Sequence, residues 1–231
     1  VRTRAVLPSN HFLGNLAMSK GTLLSLGPGG LTGFVERTSL EARIVKALAA
    51  DPRDPWALVQ RAEIHLLHRR FDQAVRDLKT LDAGRLESSD RPRWQAALRQ
   101  GLVALVRNDL AGHEAELAEL AVMAVTSEQR LVAERLAADR AVATGRFDLA
   151  VRQLDSLAER DGDRLIDRAD GPRVRVRLNR WVAGRLEMLW SKLPAAARTP
   201  IDAWLTERAA TVAAGGQLDA MRRFTERFGF H

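Results

Sequence analysis

The sequence predicts a mainly α-helical protein, a solenoid of antiparallel helix hairpins that follows a short N-terminal β-hairpin or meander. Three observations predict this fold. Short apolar runs separated by glycine, proline and serine occupy the start of the chain, as in strands joined by turns. From Thr38 onwards apolar residues recur about every 3.6 positions, as in helices. A nine-residue segment also recurs 76 positions further on, which indicates an internal repeat.

The predicted strand segment covers residues 1–37. Its apolar runs are Leu16–Met18, Thr22–Leu26 and Leu31–Val35. Because two or three strands cannot bury both faces of a sheet, we expect this segment to belong to a larger β-domain whose other strands lie outside the sequence. The chain begins with valine rather than methionine, so we expect it to be a piece of a longer protein.

Ten helices are predicted after the strand segment. Thr38–Glu41 has the pattern of a capping box, in which the hydroxyl and the carboxylate satisfy free N-terminal amides. Asp54–Pro55 and Thr199–Pro200 each offer an N-cap residue and then a proline at the first helical position. The predicted helices cover 39–50, 55–69, 71–82, 91–107, 110–124, 127–144, 147–160, 173–193, 200–214 and 217–228. We assign them to a repeat region, 38–162, and a C-terminal helical extension, 163–231.

The internal repeat is visible in Arg70–Leu78 and Arg146–Leu154, which agree at seven of nine positions. Their separation is twice 38, so we expect a middle copy at Asp109–Leu117. Small residues are expected where two helices cross closely, because a larger side chain would not fit there. The predicted packing residues are Ala62, Phe71, Ala74 and Leu78 in the first copy, Gly101, Leu110, His113 and Leu117 in the middle copy, and Ala138, Phe147, Ala150 and Leu154 in the third; His113 departs from the pattern.

From about Asp54 to Arg160 these residues resemble the tetratricopeptide repeat. Further stretches resemble large bacterial proteins in which a β-propeller of the pyrroloquinoline-quinone type precedes such repeats. Leu13–Val35 is similar to the closing strands of that propeller, Val174–Leu186 is similar to the helix after the repeats, and Arg222–Gly229 also fits. The resemblance implies that the propeller itself lies upstream, and it implies a location in the bacterial cell envelope or periplasm.

No motif predicts a catalytic site, a cofactor or a metal ion. The chain has no cysteine, which excludes disulfides and thiolate ligands, and it has no tyrosine. His65 and His68 share one predicted helix, but zinc needs a third protein ligand. Asp161–Asp163 begins like a calcium loop and then lacks the later ligand and glycine. Gly27–Gly33 lacks the last glycine of a dinucleotide-binding loop, and no apolar run is long enough to span a membrane.

The net charge of +7 comes mainly from arginine, since only four of the 36 basic residues are lysine. Spread over the chain, this charge does not by itself indicate a nucleic-acid-binding protein. Arg173, Arg177 and Arg180 are predicted to share one face of the helix 173–193, where they could bind phosphates or an acidic partner. Three aspartates just before them are the alternative, intramolecular partners.

The repeat register also predicts a partner groove, because the first helix of each pair lines the concave face of such a solenoid. The predicted groove residues are Trp56, Val59, Glu63, Gln95, Leu98, Arg135 and Asp139. We therefore predict a non-catalytic scaffold that contacts a protein or peptide partner, or the propeller of its own chain. Two alternatives remain open. One is binding of nucleic acid or another polyanion through the arginine-rich helix, and the other is an accessory role in a quinone-dependent enzyme.

Overall fold

The computed structural model describes residues 15–19, 22–27, 30–168 and 171–230. Within them the chain is mainly helical and carries a small antiparallel sheet at its N-terminal end, which confirms the predicted fold class at that level. The chain forms two compact units, Val1–Gly101 and Leu102–His231. None of the helices in the described ranges is long and apolar enough to cross a membrane.

The first unit contains a three-stranded sheet and the first helices. The strands pair in the order β1–β2–β3, each antiparallel to the next. The elements are β1 (Asn15–Ser19), β2 (Thr22–Gly27), β3 (Gly30–Val35), α1 (Arg37–Ala50), α2 (Pro55–Leu67), α3 (Phe71–Thr80) and α4 (Arg91–Asn108), the last of which continues into the second unit.

The second unit is helical apart from one hairpin of two short strands. Its elements are α5 (Glu114–Val122), α6 (Ser127–Ala143), α7 (Phe147–Asp161), β4 (Leu165–Arg168), β5 (Gly171–Arg177), α8 (Leu178–Lys192), α9 (Ala195–Ala214) and α10 (Leu218–Phe228). Helices α6 to α10 enclose one apolar core, in which Trp204 and Phe228 meet edge to face at 6.1 Å between ring centroids. This aromatic contact holds α10 against the rest of the unit.

The hairpins α2–α3 and α6–α7 have the same turn at a constant separation of 76 residues. The helices end at Leu67 and Ala143 and resume at Phe71 and Phe147. Each turn has one residue in the left-handed region, Arg69 with φ 58° and Gly145 with φ 72°. Each turn also closes with the same backbone hydrogen bond, Arg70 N to His65 O at 2.9 Å and Arg146 N to Ala141 O at 2.8 Å. The two hairpins are therefore copies of one structural unit.

Small side chains lie between the paired helices. Ala62 and Ala74 are fully buried in the first hairpin, as are Ala138 and Ala150 in the second, to within 2% exposure. Leu78 and Leu154 are also buried, whereas Phe71, Phe147 and Leu117 are half-buried. At Gly101 of α4 an added Cβ would lie 2.8 Å from Val75 Cγ2, so this position has room for glycine only. Close packing of this kind selects residues by size.

The middle copy of the repeat does not follow the predicted register. Helix α5 begins at Glu114, four residues after Leu110, where the repeat predicts its start. The Asp109 carboxylate accepts hydrogen bonds from Ala111 N at 3.1 Å and Gly112 N at 3.0 Å, and this turn replaces the first helical turn. The prediction of Leu110 and His113 as helix-packing residues is therefore wrong.

The sequence analysis named capping residues for three helix starts, and two of these three predictions are wrong. Asp54 caps α2 as predicted, since its Oδ1 accepts from Ala57 N at 2.7 Å. At Thr38 the prediction is wrong because α1 begins at Arg37 and the Thr38 hydroxyl bonds to the Glu36 side chain at 3.1 Å. At Pro200 it is wrong because α9 begins at Ala195. A capping box lies instead at Thr126 and Gln129, at the start of α6.

The predicted helix 173–193 is also too long at its N-terminal end. Residues Gly171–Arg177 form β5, which pairs antiparallel with β4, and the helix begins at Leu178. Arginine and valine alternate from Arg173 to Arg177, which is the period of a strand rather than a helix. The Ile166–Val176 pair places a buried isoleucine on the inner face of this hairpin.

Enlarging the alanine at each helix crossing tests whether the two hairpins depend on the same contact. Ala74→Leu and Ala150→Leu should each lower the free energy of unfolding by about 1–3 kcal/mol, because overpacking a close crossing forces the helices apart. Ala143→Leu is the matched control, since Ala143 is exposed in α6 and leucine is nearly as good a helix former. Urea denaturation measures the three values, and core variants as stable as the control would contradict this account.

Candidate binding surfaces

Two of the predicted groove residues in the first unit belong to its core. Val59 and Leu98 are each 4% exposed, so their side chains do not reach a partner, and that part of the prediction is wrong. Glu63 is held by Arg93 through two hydrogen bonds of 2.6 and 2.5 Å. Of the predicted groove positions in this unit, Gln95 is the exposed one.

Trp56 is half-buried at the start of α2. The guanidinium of Arg43 lies 5.0 Å from the centroid of its ring, within the range of a cation–π contact. In the same hairpin, the Asp77 carboxylate accepts two hydrogen bonds from Arg61, at 2.8 and 2.7 Å. These contacts hold the polar side chains of the α2–α3 hairpin in place. Because Arg43 lies over the Trp56 ring, a partner of this unit could contact only the other face of that ring.

The groove residues of the second unit form a cluster on α6 and α8. The Arg135 guanidinium lies 4.2 Å from the centroid of the Trp181 ring, and Arg185 approaches the same ring at 5.8 Å. Arg185 also forms a salt bridge with Asp139. For Arg135 no carboxylate lies within 4.0 Å in the described part of the chain. A guanidinium that lies over an aromatic ring still has N–H groups that can donate hydrogen bonds to an incoming acceptor.

Burial lowers the pKa of Arg135, and Arg107 and Arg185 add to this effect, while Asp139 opposes it. Arginine nevertheless keeps its charge, since its ordinary pKa lies far above neutral pH. Arg135 is therefore a half-buried cation without a carboxylate partner in the described residues. An external anion would relieve its electrostatic cost.

The three arginines predicted to bind an anion do not share a helix face. Arg173 and Arg177 belong to β5 and Arg180 lies in the first turn of α8, because the helix begins only at Leu178. The side chain of Arg173 lies outside the described residues. The prediction that these arginines share one helix face is therefore wrong. The end of β5 and the start of α8 nevertheless bring Arg177 and Arg180 to one cleft.

That cleft has a volume of about 970 Å³ and lies within the second unit. It is bounded by the end of α7, the loop that follows it, the first half of α8, and α10. Arg177 and Arg180 line it, together with four further arginines and five acidic residues: Arg160, Arg164, Arg223, Arg227, Glu159, Asp161, Asp163, Glu187 and Glu226. The cleft is thus lined mainly by charged side chains.

A buried ion pair lies beneath this cleft. The side chains of Asp155 on α7 and Arg227 on α10 are 4% and 2% exposed, and Arg227 Nε lies 2.8 Å from Asp155 Oδ1. Arg208 of α9 approaches the other carboxylate oxygen at 3.4 Å. Burial raises the pKa of Asp155, and Arg227 opposes this shift. Together with Arg208, the pair joins three helices, and sequence reasoning missed it because no local pattern relates residues so far apart in the chain.

The histidine and aspartate patterns do not form a metal site in the described residues, where no group of three or more suitable side chains comes together. His65 Nε2 lies 3.6 Å from Asp77 Oδ2, and its Nδ1 is buried without a hydrogen-bond partner. Burial lowers the pKa of His65, so the neutral ring is favoured at neutral pH. His68 is exposed at the end of α2. Of the two histidines, only His65 takes part in the packing of the α2–α3 hairpin.

Comparison of the chain with protein families, with curated proteins and with solved structures finds no match. The resemblance to tetratricopeptide repeats and to propeller proteins therefore rests on the residues named above.

Removal of one partner of the buried ion pair should destabilise the second unit. We expect Arg227→Met to lower the free energy of unfolding by up to about 3–5 kcal/mol, because it removes the closer of two guanidinium partners of the buried Asp155 carboxylate and leaves only Arg208, at 3.4 Å. Arg222→Met on the same helix is the control, and its exposed position predicts a change within about 0.5 kcal/mol. The double variant Asp155→Leu, Arg227→Met should recover part of the loss. Equal losses for the control and for Arg227→Met in urea denaturation would contradict this role.

Proposed function

We propose that the chain is a non-catalytic protein-interaction module whose α2–α3 and α6–α7 hairpins are tetratricopeptide-like repeats. The supporting observation is the equivalence of the two hairpin turns at a separation of 76 residues, together with buried alanines at both crossings. Helix-hairpin repeats bind partners through side chains that the first helix of each pair presents outwards. The step from repeat to partner binding is an analogy at the level of the fold.

The partner contacts that this proposal favours are Trp56 and Gln95 in the first unit and Arg135 in the second. Each lies at a position predicted to face a partner, and none is buried in a core. Arg135 is the strongest of them because stacking on Trp181 orients its guanidinium in advance. An oriented side chain loses little conformational entropy on binding, and arginine is among the residues most often found at the energetic centre of an interface.

The N-terminal sheet supports the further proposal that the module belongs to a larger protein with a β-propeller. The strand register places Leu16 and Met18 on one face and Leu26 and Leu31 on the other. All four side chains are more than half exposed. Apolar residues exposed on both faces of a sheet indicate that other parts of a protein pack against both faces, as happens to a sheet that lies between two others. We propose that further β-structure supplies this cover.

Replacing the exposed apolar residues of one sheet face tests the larger-protein proposal. Leu26→Ser with Leu31→Ser should reduce binding of a hydrophobic dye and reduce aggregation, while the helical circular dichroism and its melting temperature stay unchanged. The control is Val122→Ser with Val125→Ser, which removes two apolar side chains outside the sheet that are even more exposed, at 89% and 83%. If the control reduces dye binding as much as the sheet variant does, the sheet is not a surface that needs cover.

Peptide selection tests the interaction function. Peptides selected from an unbiased display library on the whole chain should bind at least about ten-fold more weakly to Arg135→Ala, which corresponds to about 1.4 kcal/mol. Arg152→Ala is a matched control because Arg152 is also stacked on a tryptophan, Trp204, at 5.4 Å, but lies outside the predicted groove. The absence of any selected peptide, or affinities that Arg135→Ala and Trp56→Ala both leave unchanged, would contradict the proposal.

A further inference from the structure

We propose that the cleft of the second unit is a binding site for a phosphate-bearing polyanion, which Arg177, Arg180 and Arg223 hold. This inference does not depend on the interaction surface proposed above, because none of the three residues belongs to it. The sequence already predicted that Arg177 and Arg180 bind an anion, on a helix face that the structure does not form, and Arg223 joins them only in the folded chain. They come from three different elements, β5, α8 and α10.

The acidic residues of the cleft are mostly neutralised by arginines. Their partners within 4.0 Å are Arg208 and Arg227 for Glu159, Arg160 for Asp161, Arg177 for Asp163, and Arg222 for Glu226. Among the lining acids in the described residues, Glu187 alone has no such partner. The lining holds six arginines and five carboxylates. Among its described side chains two arginines but only one carboxylate, Glu187, lack an oppositely charged partner within 4.0 Å, which leaves a small excess of unpaired positive charge.

That excess resides in Arg180 and Arg223. Neither has a carboxylate within 4.0 Å in the described part of the chain, and the hydrogen bond of Arg223 is to a backbone carbonyl, Asp219 O, at 3.3 Å. For Arg177, Asp163 competes only weakly with a ligand. Its Nη1 lies 3.4 Å from Asp163 Oδ1, and both side chains are at least 70% exposed. Exposed pairs of this kind contribute little to stability, so Arg177 can exchange Asp163 for a ligand.

The chemistry of the site favours phosphate. A guanidinium presents paired N–H donors that match two oxygens of a phosphate group, and a doubly charged phosphate can satisfy two arginines at once. The first amides of α8 are already used, since Leu178 N donates to Arg164 O and Asn179 N donates to Gly162 O. Side chains rather than these backbone amides would therefore bind the phosphate. The volume of about 970 Å³ lies within the range of pockets for small ligands, so a short oligophosphate or a stretch of nucleic-acid backbone fits.

The test is a titration of the whole chain with tripolyphosphate and, separately, with a single-stranded oligonucleotide. At about 50 mM salt we expect binding, and at about 200 mM salt we expect it to weaken at least about ten-fold, because phosphate contacts release counterions. Arg180→Ala with Arg223→Ala should reduce the affinity at least about ten-fold. Arg130→Ala with Arg175→Ala is the matched control, because it removes the same charge from exposed positions of the same unit that do not line the cleft.

Binding of both ligands, or of either one, supports the proposal when the cleft variant loses it and the control retains it to within about two-fold. Tripolyphosphate alone indicates a small oligophosphate, and the oligonucleotide alone indicates a nucleic-acid backbone. The proposal is overturned if neither ligand binds at the lower salt, or if the control loses as much affinity as the cleft variant. Tighter binding of a glutamate-rich peptide than of tripolyphosphate would also overturn it, since the site would then serve an acidic protein segment.

Discussion

The close crossing of two helices at an alanine is the contact on which the rest of the structure depends. At Ala74 and Ala150 the second helix of each hairpin approaches its partner so closely that the side chain has no exposed surface. The approach is set by the turn before it, where one left-handed residue reverses the chain within four positions. The turn and the crossing together fix the orientation of the two helices in each hairpin. That orientation determines where the outward side chains of α2 and α6 lie.

Arginine has a largely structural use in this chain. Four of the five tryptophans have a guanidinium within 6 Å of a ring, and arginines supply the basic partner in nearly every salt bridge of the described residues. Trp94 differs, since its indole N–H donates to Leu78 O at 3.0 Å. The net charge of +7 is therefore a poor guide to binding, and the informative arginines are those without an acidic partner. Within the described part of the chain Arg135, Arg180 and Arg223 are such residues, and they lie on the two surfaces proposed above.

Local pattern predicted the parts of the fold that local forces determine. The period of apolar residues gave the helices to within a few positions, and the repeat of Arg70–Leu78 at Arg146–Leu154 located two equivalent hairpins. The β4–β5 hairpin was missed because the spacing of Arg173, Arg177 and Arg180 was interpreted as one helix face, although arginine and valine alternate from Arg173 to Arg177 as in a strand. The Asp155–Arg227 pair and the cleft above it could not be predicted, since only the packing of α7, α9 and α10 brings those side chains together.

Hydrogen exchange of backbone amides, resolved residue by residue, tests the central claim most directly. If both units are built on the same helix crossing, the amides of Ala62 and Ala74, and those of Ala138 and Ala150, should be among the slowest to exchange in their units. Amides of β1 to β3 should exchange faster, because the sheet lacks cover. Crossing amides that exchange as fast as those of the sheet, in either hairpin, would contradict the account.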